Sequence, residues 1–181
     1  MEPTRALNPV TCQADLSPPP FWRKKPSLLD EMKTEKRIVS SAKTEKMEAS
    51  DLYQMAIVAA GFVNVPIEET WTIVRNYEQL PQVDERFQEV KYDAQKQRLF
   101  LHAATLGYHA RMTLQLNYCE TTRAKEIHFE SVDGSFKGMK GTIRFEDDRR
   151  QKTEISMTSD YRSESLPLPP VLMGVGLEVV A

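Results

Sequence analysis

The chain has 181 residues, 40% of them apolar and 28% charged, a composition that suits one globular domain with something extra. Its 24 basic and 26 acidic residues leave a net charge of −2, so it lacks the basic excess of a duplex-binding protein and no nucleic-acid partner is expected. No stretch reaches the roughly 20 apolar residues of a spanning helix, and the N-terminus holds no apolar run long enough for a secretory signal. A cytoplasmic location is therefore expected, or a periplasmic one if the start is mis-called.

Residues 1–50 stand apart, with six of the eleven prolines and nine of the 24 basic residues. They are predicted to be a mostly disordered or irregular extension, because residues 1–26 are too polar and Pro-rich to offset the entropy of ordering. Within the extension, "SLLDEMKTEK" suggests a short helix capped by Ser27 with Leu28, Leu29 and Met32 on one edge, and "RIVSSAK" suggests a stray strand. The Arg23–Lys25 cluster is a candidate for peripheral membrane contact through anionic lipid, although a solvated linker is the favoured reading. Residues 51–181 are expected to form the folded domain.

That domain opens on "LYQMAIVAAGFVNV", long, rich in β-formers and almost uncharged, which predicts a strand buried on both faces. "PIEETWTIVRNYEQLP" follows as one or two short helices. Pro66 suits a first helical position, Glu68 and Glu69 suit the positive end of the dipole, Ile67, Trp71 and Val74 share a face, and Pro81 ends or kinks the segment. Strand patterns then run to Ser163. Met112, Leu114, Leu116 and Tyr118 alternate with Arg111, Thr113, Gln115 and Asn117, and Ile127 and Phe129 alternate with Glu126, His128 and Glu130. Ile143 with Phe145, and Ile155 with Met157 and Tyr161, continue the pattern, and "FQEVKYD" and "RLFLHAATLGY" supply two more strands. Turn signals at hairpin spacing make the sheet antiparallel, with one wet face and one covered. The ending, "SLPLPPVLMGVGLEVVA", carries Glu178 as its one charge. Twelve residues from Pro170 reach only about 18 Å as helix, too short for a bilayer, so an apolar C-terminal helix covering the dry face is expected.

Chemistry-bearing residues are sparse. Cys12 and Cys119 match no metal or redox spacing and are read as free thiols, with a pairing between them left open. His128 falls on a charged strand face and is expected in solvent. His102 and His109 flank "AATLGY", where a bend would turn one inward. Neither His102 nor His109 has a partner at metal-ligand spacing, so no metal and no cofactor are expected. "DGSFKGMKG" has neither dinucleotide nor Walker spacing and reads as a hairpin with a bulge. No catalytic constellation emerges.

Three segments, "FVNVPIEETWTIVRNYEQLPQV", "SVDGSFKGMKGTIRFED" and "SLPLPPVLMGVGLEVV", resemble in order and spacing the START-like (helix-grip) superfamily, in particular its polyketide cyclase/dehydrase and coenzyme Q-binding branch. The resemblance covers roughly Leu52 to Ala181. It implies an α+β helix-grip fold, in which a curved antiparallel sheet of six to seven strands grips a C-terminal helix over a hydrophobic cavity. The ending departs from that pattern, since the family's last helix usually runs longer than the stretch after Pro170 here, so either the lid is short and the cavity more open, or a partner or second copy completes it. On this reading Trp71, Tyr108, Met112, Leu114, Leu116, Tyr118, Phe129, Phe145, Ile155, Met157, Tyr161, Leu172 and Met173 line the cavity, and a filled core is the bland alternative. The expected function is non-enzymatic binding or transport of a lipid, quinone or polyketide-like molecule. The alternatives are a cyclase or dehydratase using His102 or His109, and a protein- or ribosome-interaction module.

Overall fold

The structure, a computed structural model, describes residues 20–35, 37–47, 51–105, 107–121, 124–148 and 151–164. In chain order these form α1 (Pro26–Thr34), β1 (Val39–Lys46), β2 (Tyr53–Val63), α2 (Ile67–Val74), a 3-10 turn (Tyr77–Gln79), α3 (Leu80–Val83) and β3 (Phe87–Asp93). Then come β4 (Arg98–Thr105), β5 (Tyr108–Glu120), β6 (Ala124–Gly134), β7 (Lys140–Asp147) and β8 (Thr153–Ser163). The expected C-terminal helix, with Leu172 and Met173, lies outside the described residues.

All eight strands join one antiparallel sheet in the order β1-β2-β8-β7-β6-β5-β4-β3. Eight strands stand where six to seven were expected. The additional one is β1, which pairs along its whole length with β2, from Val39 opposite Ala60 to Lys46 opposite Tyr53. The "stray" strand of the extension is thus the edge of the sheet. β2 closes onto β8 rather than β3, so the first and last long strands of the chain are neighbours. The alternation read from the sequence holds across β5–β8, because paired residues of an antiparallel ladder share a face.

α1 explains why β2 reads as buried on both faces. Trp22, Met32, Ala60 and Phe62 form a separate cluster on the outer side of β2, with Leu28, Leu29, Val39 and Val58 packed against it. Trp22 is held there by an indole N–H donating to Glu154 Oε1 at 2.8 Å, and Arg23 pairs with Glu154 and Glu146. Residues 20–34 thus form a turn and the short helix expected from "SLLDEMKTEK", packed on the sheet. The residue that overrides the local polarity is Trp22, whose burial repays the ordering. Ser27 does not cap α1, because Pro26 already takes the first position and Lys25 precedes it. Pro81 likewise begins the short α3 instead of ending a helix, since its missing N–H falls in the first turn, where no partner is needed.

The glycine-rich stretch joins β6 to β7 as a hairpin. Gly134 has φ +96°, and a Cβ there would stand 1.9 Å from the Arg111 carbonyl oxygen, so the turn requires glycine. The β5–β6 register slips between Thr113 and Leu114, which is the expected bulge.

Candidate functional site: the inner face of the sheet

The inner face carries the main apolar cluster. Trp71, Tyr77, Leu99, Leu114, Leu116, Ile127, Phe129 and Phe145 are buried together, and Met112, Tyr118, Met139, Ile143, Ile155 and Met157 pack half-buried against them. Strand register explains the continuity. Met157 opposes Ile143, Ile143 opposes Ile127 and Ile127 opposes Tyr118, so one apolar row crosses β8, β7, β6 and β5. At about 4.8 Å per strand this row is roughly 14 Å long.

The helices cover part of this surface. α2 packs toward β7, and the 3-10 turn and α3 pack toward β3. Trp71 stands edge-on to Phe145, with ring centroids 5.4 Å apart, and to Tyr118 at 6.0 Å. α2 is pinned by Thr70, whose hydroxyl lies 3.3 Å from the Val65 carbonyl and 3.2 Å from Thr153 Oγ1; Thr153 in turn donates to Val65 O at 2.7 Å.

Two polar groupings border the covered end. The Trp71 indole donates to Glu120 Oε1 at 3.0 Å, and Lys125 Nζ reaches Glu120 Oε2 at 3.1 Å and Glu68 Oε2 at 2.6 Å. The Lys125 side chain is only 7% exposed, so these carboxylates are what allow the charge on the inner face. Its hydrogen bond to Glu68 holds the ammonium above its usual range, and the bond from Lys125 holds Glu120 below the usual carboxylate range. The second grouping is three tyrosines: Tyr118 Oη lies 3.2 Å from Tyr77 Oη and 2.9 Å from Tyr92 Oη. The Arg75 guanidinium lies 4.9 Å from the Tyr118 ring centroid and 5.5 Å from that of Trp71.

Of the residues expected to line a cavity, Trp71, Met112, Leu114, Leu116, Tyr118, Phe129, Phe145, Ile155 and Met157 meet in this cluster. Tyr161 is buried on the same face, opposite Met55 and edge-on to Phe136 at 5.7 Å, beyond the cluster. Tyr108 is 41% exposed at the start of β5, outside the cluster. The sequence reading missed Tyr77, Tyr92, Arg75, Lys125 and Glu120. A signal existed for Lys125: it stands two residues before Ile127, at an inward position of its strand.

The histidines lie on the other face. His102 opposes Arg111, next to the inward pair Leu101 and Met112, and His102 Nε2 lies 3.1 Å from His109 Nδ1 on the exposed side. No bend turns either toward the cluster. His128 is half-buried rather than solvated, with Nε2 2.8 Å from Glu126 Oε2 and Nδ1 3.1 Å from Thr142 Oγ1. Cys119 is disulfide-bonded, which corrects the free-thiol reading; the chain's other cysteine, Cys12, lies outside the described residues. Strand parity puts Cys119 on the outer face opposite Glu126, and its spacing to the other cysteine carries no local signal of a pairing. Among the described residues there is no group of metal-ligating side chains, and no helix is long and apolar enough to cross a membrane.

A family model described as polyketide cyclase/dehydrase and lipid transport matches residues 63–181. Among solved structures, a START superfamily protein from Mycobacterium smegmatis aligns with TM-score 0.54 and 16% identity over 68% of this chain and 89% of that one. A STAR-related lipid transfer protein from Xanthomonas axonopodis aligns with TM-score 0.53 and 12% identity over 77% and 85%. The Zhui aromatase/cyclase from Streptomyces sp. R1128 aligns with TM-score 0.50 and 14% identity over 60% and 67%. At these identities the likeness is one of fold. A search of proteins with curated functions returned no match.

Proposed function

The chain belongs to the polyketide cyclase/dehydrase and lipid transport family of the START-like helix-grip superfamily, and on that premise we propose that it binds a hydrophobic small molecule on the inner face of its sheet, as a carrier and not as an enzyme. The cargo is a lipid, quinone or polyketide-like molecule, held against the apolar cluster of the inner face. The observation that carries this reading is the row from Met157 to Tyr118, apolar across four strands beside the part that α2 covers, half-buried at Met157, Ile143 and Tyr118 and buried at Ile127. Three methionines, Met112, Met139 and Met157, pack against the cluster, and flexible thioethers adapt to varied contents. Burying about 300 Å² of ligand surface there corresponds to on the order of 7 kcal/mol before the costs of association, which places affinities in the micromolar range or weaker.

The cyclase or dehydratase alternative loses its named candidates, because His102 and His109 face away from the cluster. Carboxylates near the covered end, Glu68 and Glu120, are tied to Lys125 and not to each other. The disulfide at Cys119 suits an oxidising compartment better than the cytoplasm expected from the sequence.

Met157→Asp tests the site. An unpaired carboxylate in the row is expected to weaken binding of an apolar fluorescent dye at least about tenfold, while the unfolding transition stays cooperative. Unchanged dye binding in a folded Met157→Asp protein contradicts the assignment of the cavity to this face.

A further inference from the structure

The three tyrosines at the covered end of the inner face carry one more hydrogen-bond donor than they use among themselves. Two O···O contacts link them, at 3.2 and 2.9 Å, and each contact takes one hydroxyl proton. Three phenols supply three protons. Whichever way the two bonds run, one O–H points elsewhere, and none of the three hydroxyls has another hydrogen-bond partner among the described residues. The contacts are half-buried on an apolar face, so a ligand that covers them and brings no acceptor strips this O–H of any partner, whereas one that supplies an acceptor keeps it matched.

Location makes the surplus donor useful. Tyr118 is the end of the row that begins at Met157, so a flat or extended molecule about 14 Å long that follows the row from the half-buried Met157 and Ile143 brings its far end toward the tyrosine hydroxyls. The groups around the cluster are otherwise engaged: the Trp71 indole is on Glu120, and Arg75 lies over the rings of Trp71 and Tyr118 and 4.0 Å from Glu120. Burial pushes the Tyr77 and Tyr118 phenols above the ordinary tyrosine range, so both remain protonated donors at neutral pH.

We propose that Tyr77, Tyr92 and Tyr118 form a polar subsite that donates one hydrogen bond to a carbonyl oxygen of the bound molecule, selecting oxygen-bearing apolar ligands, such as ketones, quinones or esters, over plain hydrocarbons of the same shape. This subsite rests on the ligand-binding reading above.

The test compares 2-acetylnaphthalene with 2-isopropenylnaphthalene, which replaces the carbonyl oxygen by a CH2 group and keeps the shape. Calorimetric titration of the full chain is expected to show the ketone binding about three- to tenfold more tightly. The triple variant Tyr77→Phe/Tyr92→Phe/Tyr118→Phe is expected to lose that preference, its ratio of ketone to hydrocarbon affinity falling to about one, and a cooperative unfolding transition reports that the variant is folded. A second measurement needs no variant: the carbonyl stretching band of the bound ketone is expected below its position in hexane. Equal binding of the two probes by the unaltered protein, a preference that survives in the triple variant, or an unshifted carbonyl band each overturns the subsite alone. Failure of both probes to bind overturns the subsite together with the ligand-binding reading on which it stands.

Discussion

A Cβ at Gly141 would lie 2.3 Å from Phe129 Cζ and 2.4 Å from the Thr158 carbonyl oxygen, so the ring of Phe129 lies over this glycine because it has no side chain. The contact fixes where the aromatic floor of the inner face sits. Gly141→Ala is expected to cost about 1–3 kcal/mol in chemical denaturation, the range for overpacking, and a neutral result would show that the Phe129 ring moves freely. The tyrosines make a second prediction at this scale. For Tyr77 and Tyr118 the folded pKa is raised by burial, so the folded state holds the phenolic protons more tightly than the unfolded chain. Their contribution to stability is complete below about pH 10, the unfolded value, and is lost as pH rises above it. In an absorbance titration, Tyr77 and Tyr118 are expected to remain un-ionised until alkaline unfolding releases them. Smooth titration of both in the folded protein would show that the cluster is open to water.

Between α1 and the sheet, one side chain does most of the joining. Trp22 is 2% exposed, and its N–H donates to Glu154, whose side chain is 9% exposed and also pairs with Arg23. Trp22→Ala is expected to destabilise by about 3–5 kcal/mol, through lost burial and through a buried carboxylate deprived of one donor. Equilibrium denaturation measures it, and a loss below about 1 kcal/mol would mean that α1 is not anchored by this residue. The strands β5 to β8 were legible in the sequence because a one-sided core forces strict alternation, as Met112 to Tyr118 show against Arg111 to Asn117. β1 was read as isolated because its own residues, "VSSAKTEK", are polar and exposed along most of their length; only the partner β2 makes them a strand of the sheet. Trp22 was illegible for a related reason: its surroundings are prolines and lysines, and the group that satisfies its indole lies 132 residues away. The tyrosine cluster and the Lys125 pair are likewise products of tertiary approach, joining a helix or turn to strands that no local pattern connects.

At the scale of the whole molecule, the eight-stranded sheet has two separately covered faces. The outer side of β2 is covered by α1, and polar pairs follow beyond it: Arg23 with Glu154 and Glu146, Arg144 with Glu146 and Glu126, and Glu126 with His128. The inner face is apolar, with its polar groups gathered at the end near α2 and the 3-10 turn. A molecule that must be apolar along most of its length and carry an oxygen at one end fits this division. The central claim is that such a molecule is bound, and the direct measurement is the native mass of the purified protein followed by organic extraction and identification of what is released. A hydrophobic molecule near one equivalent per chain, and absent from the mass of the Met157→Asp protein, is the predicted result. A protein of bare mass that also binds no apolar dye would contradict the account, because the inner face would then be a packed core.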